Sequence, residues 1–401
     1  MKKYKLVLNC GSSSLKFALY ENDGKKIALG NFEKIGIKGT FVKYEINNNK
    51  DEKDYNDIDS HIDAFKELFR LFGEFNIDVS QIDSIGHRIV HGGGEFNSSV
   101  IASDEVIKRL EKTKKLAPLH NRTQIQVIEY CFSELEGIKQ VLCFDTSFHS
   151  TIPPKAYTYG IPYKFLEKNK IRKYGAHGLS YQYSLEKYSE ISGISKDKLN
   201  LIVCHLGSGS SICAIENGKS VDTTMGLTPL GGLVMVNRCG DMDPAVVLYL
   251  INNLGVNPEE LDSILNKQSG LSGITGLSNI DMREVLYFAG YKVEGYDVQK
   301  IADKFKEYSE DELSNLKDRC KLGIEVMVYR IKQFIGSYFA ILGRIDAIIF
   351  TAGIGERSSV IRDLILENMN ILKDVDVQII NADEEYVIYE EVVKLCPSDN
   401  K

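Results

Sequence analysis

The sequence predicts an α/β protein made of two related domains, and three observations carry that prediction. The chain has 401 residues, enough for two domains, and a hydrophobic content of 43%, enough to give each a buried core. Short apolar runs typical of strands alternate with stretches of helical periodicity. A segment near the start, Leu6–Lys25, resembles a second segment, Leu201–Lys219, at a spacing of domain size.

Each copy of the repeated segment predicts a β-hairpin. An apolar strand, a Gly/Ser turn and a second apolar strand are followed by an Asn-Asp-Gly or Glu-Asn-Gly turn. Small residues at the first turn let backbone N–H groups approach an anion closely, and serine hydroxyls add donors. Such a turn on its own is often only a tight connection, but its duplication favours two loops that bind one polyphosphate.

The other elements follow from apolar periodicity. Strands are predicted near Ser84–Val90, Gln140–Phe144 and Ile345–Thr351, and helices near His61–Phe72 and Leu322–Leu342. Two polar stretches are predicted to lie outside the core: Tyr44–Ser60 as a surface excursion, and Asp303–Lys321 as a solvated helix or loop.

Composition and charge exclude several classes of protein. Charged residues make up 26% and the formal net charge is −7, so the chain is neither a polybasic nucleic-acid binder nor an acidic disordered protein. We expect a small-molecule partner. No apolar run is long enough for a membrane span and no signal-peptide stretch is present, which predicts a cytoplasmic protein. The eight scattered cysteines form no CxxC pair and are predicted to be reduced and structural.

Arg88 is a candidate anion ligand in the segment HRIVHGGGEF. It ends a β-branched run directly before three glycines, so its guanidinium would project over a tight or flexible loop. An ordinary surface ion pair at a strand end remains the alternative. His87 and His91 flank a strand-like run rather than lying on the helix that an HExxH site requires, so we reject zinc there.

Asp145 directly follows an apolar strand in VLCFDTSFHS. Functional groups collect at the carboxyl ends of strands in open α/β sheets, and a carboxylate there can orient a nucleophile or hold Mg²⁺ through water. The alternative is a helix N-cap followed by Thr146 and Ser147.

Arg238 is a second candidate phosphate ligand, in the long loop MGLTPLGGLVMVNRCGDMDP. The loop is too apolar to be disordered, which favours a functional role. Two planar donors on opposite sides of a phosphoryl group neutralise its equatorial oxygens. Asp241 and Asp243 in the same loop either orient Arg238 or cap the helix that is predicted to begin near Pro244.

A third Gly-rich turn lies between a strand and a helix in IIFTAGIGERSSVIRDLI, where the helix N-terminus is available to a nucleotide. The GxxxxGK[ST] pattern is absent from the chain, which disfavours a P-loop kinase. Gly207–Gly209 and Gly353–Gly355 are only GxG, so neither supports a dinucleotide-binding fold.

Together these segments resemble the acetate kinases, members of the acetate and sugar kinase, heat-shock chaperone and actin superfamily. The resemblance covers nearly the whole chain. It rests on blocks that occur in the family's order: NCGSSSLKF, HRIVHGGGEF, LAPLHN, FDTSFH, RKYGAHG, HLGSGSS, MGLTPLGGLVMVNRCGDMDP, GLSNIDMRE, FTAGIGER and NADEEYVI.

The resemblance implies two actin-like, ribonuclease H-like domains related by duplication, with the active-site cleft between them. The first domain would span residues 1–149 plus the tail 382–401, and the second, 150–381, would bind nucleotide and form a homodimer. It also implies a reversible, Mg²⁺-dependent in-line transfer between ATP and a short-chain carboxylate, without a covalent enzyme intermediate. No nucleic-acid or membrane partner is expected.

The resemblance also assigns roles to residues of this chain. Arg88 and Arg238 would bracket the phosphoryl group, His177 would donate to its developing charge, and Asp145 would orient the acceptor rather than act as a base. Mg²⁺ would be held by Asn9 and Glu384. The implied acid pocket is formed by Arg88, Val90, Leu119, Ala176 and Pro229, with His120 supporting its wall. The implied nucleotide ligands are His205, Leu206, Gly207, Ser208, Gly209, Asp281, Met282, Arg283, Gly353, Ile354, Gly355, Glu356 and Arg357.

Several positions depart from the family pattern. Ala176 replaces a usual Phe, which should enlarge the acid pocket and favours propionate or butyrate as alternatives to acetate. Near the predicted histidines, Arg122 replaces a usual Pro and Tyr181 a usual His. Near the nucleotide the replacements are Ser208 for Asn, Gly231 for Glu, Ala352 for Gly and Arg357 for Asn, with an extra Ile before Asp281. A non-catalytic nucleotide-binding protein on the same scaffold is the alternative from another class.

Overall fold

The computed structural model describes residues 4–115, 118–278 and 280–397, without the side chains of residues 115 and 118–120. Its strands are β1 (Tyr4–Cys10), β2 (Ser14–Glu21), β3 (Lys26–Glu33), β4 (Thr40–Ile46), β5 (Asn49–Tyr55), β6 (Ile82–Ile89), β7 (Val100–Ile101), β8 (Lys139–Phe144), β9 (Leu201–Leu206), β10 (Ser210–Glu216), β11 (Lys219–Thr223), β12 (Ala347–Thr351) and β13 (Asp376–Ile379). Its α-helices are α1 (His61–Glu74), α2 (Asp104–Glu111), α3 (Pro118–Glu134), α4 (Pro154–Tyr157), α5 (Lys164–Asn169), α6 (Gly178–Ser192), α7 (Pro244–Leu254), α8 (Pro258–Lys267), α9 (Gly270–Thr275), α10 (Met282–Phe288), α11 (Val298–Lys304), α12 (Glu310–Leu342), α13 (Ala352–Arg357), α14 (Ser359–Leu366) and α15 (Glu384–Leu395).

These elements form two compact units. The first unit comprises the described residues up to 150, residues 177–183 and residues from 383 onward. The second unit comprises residues 151–176 and the described residues of 184–382. In the described ranges, no helix has both the length and the apolarity needed to cross a bilayer.

The sheet of the first unit has the strand order β5-β4-β3-β2-β1-β6-β8-β7. The first five strands pair antiparallel, whereas β1, β6 and β8 are parallel neighbours. The predicted hairpin is β1–β2, with Cys10 opposite Leu15. Strand β1 is almost wholly buried because helices cover this parallel part of the sheet. Helices α3 and α15 both pack on β1 and β6.

The sheet of the second unit repeats this arrangement. Its order is β11-β10-β9-β12-β13, with β11, β10 and β9 antiparallel and β9, β12 and β13 parallel. Strands β3-β2-β1-β6-β8 of the first unit have the same order and the same directions. The α/β fold and the duplication predicted from the sequence are therefore confirmed. Strands β9 and β12 are buried along their whole length, and α12 packs beside them.

Two polar stretches are more regular than their composition indicates. Residues 49–55 form the largely exposed strand β5, joined to β4 by a two-residue turn at Asn47 and Asn48. Both turn residues have positive φ, 50° and 66°, which suits a tight hairpin and which asparagine tolerates. Helix α12 begins at Glu310, well before the predicted start at Leu322, because Ser309 and Glu312 form a capping box.

Candidate functional site

Arg88 lies near the carboxyl end of β6 and binds the carboxylate of Asp145 with two parallel hydrogen bonds. Its Nε donates to Oδ1 at 3.0 Å and its Nη2 donates to Oδ2 at 2.8 Å. Asp145 directly follows β8, the strand beside β6, and its N–H donates to the Ile89 carbonyl at 2.9 Å. Both oxygens of the Asp145 side chain therefore bind the arginine.

The third nitrogen of the same guanidinium reaches the two predicted metal ligands. Arg88 Nη1 lies 2.7 Å from Glu384 Oε2 and donates to Asn9 Oδ1 at 3.3 Å. The amide of Asn9 in turn donates to Glu385 Oε1 at 3.1 Å. Glu384 and Glu385 occupy the first turn of α15, where the helix dipole favours negative charge.

A glycine brings α15 close to β6. A methyl group at Gly86 would collide with side-chain carbons of Ile388 and Val392. Gly86 lies two residues before Arg88, so the absence of a side chain there lets the helix that carries Glu384 lie directly against the strand that carries Arg88. The cluster of Asn9, Arg88, Asp145 and Glu384, called the arginine cluster below, is a product of this packing.

The arginine cluster carries more negative than positive charge. Burial acts to lower the pKa of Arg88, but the carboxylates of Asp145 and Glu384 outweigh it and hold the pKa above its ordinary value. Burial also raises the pKa of the Asp145 carboxyl, while Arg88 acts in the opposite direction. The two carboxylates exceed the single guanidinium by one formal charge, so the cluster suits an added cation better than an added anion.

His177 is placed beside Asp145 by an uncommon backbone conformation. Its φ is 59°, in the left-handed region that costs energy for a residue other than glycine. The His177 N–H donates to the Asp145 carboxylate, and the Gly178 N–H donates to the Asp145 carbonyl at 3.0 Å. A side chain at Gly178 would collide with that carbonyl. Asp145 therefore fixes both Arg88 and the backbone of His177.

The implied acid pocket is described only in part. Val90 is half-buried just after β6. The side chains of Leu119 and His120 lie outside the described residues. In the second unit, Ala176 is 2% exposed and packs with Met225 and Met235. The methyl group of Ala176 is thus covered by two thioether side chains, which are flexible enough to rearrange around a larger neighbour.

Arg238 differs from Arg88 in the groups that its guanidinium contacts. Its Nη1 donates to the Pro229 carbonyl at 3.1 Å and lies 4.0 Å from the sulfur of Met235. Within the described parts of the chain, no carboxylate forms an ion pair with it. Burial lowers the pKa of this guanidinium below its ordinary value. Arg238 is therefore a half-buried cation that a carbonyl and a sulfur contact, at some cost of desolvation.

The two acids of the same loop have backbone partners. Asp241 Oδ1 accepts from the Gly232 N–H at 2.7 Å. Asp243 is the N-cap of α7 and accepts from the Ala245 N–H at 2.9 Å. Of the two readings of Asp243, helix capping is the one that its contacts support, and the predicted start of the helix at Pro244 is confirmed.

A cavity of about 330 Å³ in the second unit collects most of the predicted nucleotide residues. Its walls include eight of them: Gly207, Ser208, Asp281, Met282, Arg283, Gly353, Ile354 and Arg357. Arg283 stacks over the ring of Tyr296 at 4.2 Å, and its Nε donates to Asp281 Oδ2 at 3.1 Å. The walls also include residues that sequence reasoning missed, namely Val236, Leu286, Lys292, Val293, Glu294, Gly295, Tyr296 and Ser358.

The other predicted nucleotide residues lie beside this cavity. His205 and Leu206 are buried at the end of β9, and Gly209 belongs to the turn that follows. Gly355 packs against the Cys204 carbonyl, and Glu356 Oε1 accepts from the Ala382 N–H at 2.8 Å. Residues 291–297 belong to none of the blocks that resemble the family. The one sequence signal for them is a polar, Gly-containing connection after α10.

Known proteins resemble this chain over nearly its whole length. The sequence profile described as the Acetokinase family matches residues 4–392. The acetate kinase of Dictyoglomus thermophilum is 40% identical over 97% of this chain and 98% of that protein. The crystal structure of Porphyromonas gingivalis acetate kinase superposes with a TM-score of 0.83 at 33% identity, over 98% of this chain and 99% of that one. A propionate kinase structure from Francisella tularensis superposes with a TM-score of 0.84 at 37% identity, over 97% and 98% respectively.

Proposed function

From the premise that this chain belongs to the acetokinase family and is a kinase that transfers phosphate to a carboxylate, we propose that its acceptor is acetate and its donor ATP. The products are acetyl phosphate and ADP, and the reaction is reversible. The single observation that carries the proposal is the state of Arg238. A half-buried guanidinium that forms no ion pair with a carboxylate of the described residues is costly, and a transferring phosphoryl group would supply a counter-charge.

The arginine cluster is the proposed site for Mg²⁺. Asn9 Oδ1 and the carboxylate of Glu384 are hard oxygen donors of the kind that Mg²⁺ prefers, and the cluster around them carries one excess negative formal charge. The described residues contain no group of three or more His, Cys, Asp or Glu that could hold a metal alone. Mg²⁺ commonly uses one or two carboxylates and completes its shell with water and phosphate oxygens. When bound, the ion neutralises charge on the phosphates.

The proposed chemistry needs no general base in the protein. Acetate is ionised at neutral pH, so its oxygen can attack the γ-phosphorus directly. An oxygen–phosphorus bond forms as the bond from the γ-phosphorus to the bridging oxygen breaks, and ADP leaves with that electron pair. Arg238 stabilises the equatorial oxygens and His177 donates to the developing charge. Asp145 is a positioning residue, since both its oxygens orient Arg88.

The cavity of the second unit is the proposed nucleotide site. The turn residues Gly207 and Ser208 offer backbone N–H groups to phosphates, and the stacked pair of Arg283 and Tyr296 offers a planar surface to a base. Eight residues predicted from the sequence line this one cavity, which supports the assignment. The cavity therefore favours a nucleotide over pyrophosphate as donor.

Propionate is the second candidate acceptor. The smaller Ala176 and the similarity to a propionate kinase structure favour it. The packing of Ala176 against Met225 and Met235 favours acetate, because the two methionines occupy the space beside the missing ring. The curated relatives at about 40% identity are acetate kinases, which also supports acetate.

A homodimer through α7 is proposed as the working assembly. This helix has no buried residue, and Leu248, Tyr249 and Leu254 are 59%, 57% and 62% exposed. An apolar helix of this kind is more stable when another surface covers it. Replacement of Leu248 and Tyr249 by Glu should convert a dimer to a monomer in sedimentation analysis. The predicted location in the cytoplasm stays a prediction from the sequence.

The decisive experiment is an acyl-phosphate trapping assay with hydroxylamine. Acids of increasing chain length would be tested against ATP, GTP and pyrophosphate, with and without Mg²⁺. The Arg238→Ala variant should lose roughly 10²- to 10³-fold in turnover while the KM for ATP stays within about threefold. Arg330→Ala, an exposed site on α12, is the matched control. Unchanged turnover in Arg238→Ala would overturn the role of Arg238.

A further inference from the structure

Gln124 of α3 connects the two strands that carry Asn9 and Arg88. Its side chain is buried, with 2% exposed. Oε1 accepts from the Val90 N–H at 3.1 Å, and Nε2 donates to the Cys10 carbonyl at 3.0 Å. The orientation of the carboxamide is fixed by its partners, because a backbone N–H can only donate and a carbonyl can only accept.

The Gln124 bridge lies at the point where the backbone pairing of β1 with β6 ends. The parallel pairing of β1 with β6 ends at Leu8 opposite His87. Beyond that pair, Asn9 and Arg88 are the next residues on the two strands, followed by Cys10 and Ile89. Gln124 joins Cys10 to Val90, so it closes the gap just past the point where backbone pairing stops. Asn9 and Arg88 lie between the last backbone pair and the Gln124 bridge.

The contact between Asn9 and Arg88 depends on that spacing. Arg88 Nη1 donates to Asn9 Oδ1 at 3.3 Å, near the upper limit for a hydrogen bond, so a small separation of the strand ends would break it. Displacements of about 1 Å at a reactive site can lower a rate by roughly 100-fold. A side chain that fixes the strand ends should therefore affect the use of the acid substrate more than the binding of the nucleotide.

We propose that Gln124 is a positioning residue, which sets the separation of the β1 and β6 ends and thereby the geometry of Asn9 and Arg88. The kinetic part of this inference rests on the proposed function, and it takes Arg88 as part of the acid pocket that the family resemblance implies. The structural part does not. The structural part requires only that the Gln124 hydrogen bonds and the Arg88 contacts stabilise one another.

The experiment compares Gln124→Met and Gln124→Glu with the same changes at Gln126, an exposed residue of the same helix. Methionine keeps the shape and removes both hydrogen bonds, and glutamate in its charged form keeps the acceptor and removes the donor. Both Gln124 variants should lower kcat/KM for acetate roughly tenfold or more, with the KM for ATP within about twofold. Both Gln126 variants should match the wild type. A merely structural role would lower the active fraction and leave both KM values unchanged, which would overturn the proposal.

A thermal cycle tests the structural part without any activity assay. The Tm losses of Gln124→Met and Arg88→Met should be less than additive in the double variant, because either change loosens the same contacts. The losses of Gln126→Met and Arg88→Met should add. Additive losses at Gln124 would overturn the inference. If the wild type made no acyl phosphate from any acid, the proposed function would fail, and this cycle would still decide whether Gln124 supports Arg88.

Discussion

Arg88 holds Asp145 through two parallel hydrogen bonds, from Nε at 3.0 Å and from Nη2 at 2.8 Å. The same guanidinium lies 2.7 Å from Glu384. One buried cation therefore joins β6, the residue after β8 and the start of α15. Arg238, the other predicted phosphate ligand, donates to a backbone carbonyl, lies near a sulfur, and forms no ion pair with any carboxylate in the described ranges. Removing the charge of Arg88 should therefore lower the free energy of unfolding, whereas removing the charge of Arg238 should not.

Arg88→Met should destabilise the protein strongly, and Arg238→Met should not. Removing Arg88 leaves the two buried carboxylates of Asp145 and Glu384 without the cation that pairs with them, which typically costs about 3–5 kcal/mol. Removing Arg238 relieves a desolvated charge, so the free energy of unfolding should stay within about 1 kcal/mol of the wild type or rise. Urea unfolding at neutral pH measures both. Equal losses in the two variants would mean that Arg238 has a counter-ion after all.

Ala176→Phe should shift the acid preference toward acetate. The ring would displace Met225 or Met235 and shrink the space available to the acid's alkyl end. One methylene is worth about 1–3 kcal/mol in such a pocket, so the ratio of kcat/KM for acetate to that for propionate should rise roughly tenfold or more. Ala340→Phe, on the exposed face of α12, is the control. An unchanged ratio would show that Ala176 does not face the acid.

Acid should destabilise the protein partly through His87. Burial lowers the pKa of His87 from 6.5 to about 4, although Gln140 accepts a hydrogen bond from it. The unfolded chain takes up a proton near pH 6.5 and the folded chain only near pH 4, so the stabilisation present above pH 6.5 is lost as pH falls across that interval. The loss is on the order of 3 kcal/mol. Urea unfolding at about pH 7 and about pH 4.5 should show a smaller difference for His87→Gln. An equal difference in both proteins would exclude this role for His87.

Ala352→Gly should stabilise the second unit. Ala352 has a φ of 63°, a left-handed conformation that is strained for alanine and free of strain for glycine. Glycine also makes the unfolded chain more flexible, which offsets part of the relief of strain. The net increase in the free energy of unfolding should be about 1 kcal/mol. Differential scanning calorimetry should show a higher Tm for Ala352→Gly. Ala347→Gly, in the buried strand β12, is the control and should lower the Tm. A lowered Tm in both variants would show that Ala352 is not strained.

Local patterns predicted the buried strand ends and turns better than they predicted the exposed elements. The strand ends at Arg88 and Asp145 and the turn at Gly207 were visible because buried parallel strands are continuous apolar runs and glycine marks their turns. Strand β5 was not visible, since its side chains are exposed and its stability comes from pairing with β4. The early start of α12 depends on Ser309 and Glu312, a capping signal that apolar periodicity does not contain.

Partners within a site were harder to predict than its members. The strand end suggested Asp145, and the family resemblance suggested Asn9 and Glu384. Their common attachment to Arg88 depends on the packing of α15 over Gly86, which the sequence does not show. The bridging role of Gln124 could not be predicted, because a glutamine on a helix is common and its two backbone partners are known only from the structure. Tyr296 was missed for the same reason, since its stacking on Arg283 brings together residues from the two ends of a connection.

The guanidinium of Arg238, which pairs with no carboxylate of the described residues, has a practical consequence for handling the protein. Sulfate or phosphate in a purification buffer would compete for this charge, raise the melting temperature by mass action and hide the weak binding of a true substrate. Samples intended for affinity measurements are better kept in chloride with a zwitterionic buffer, and crystals grown from sulfate should be expected to hold that ion here.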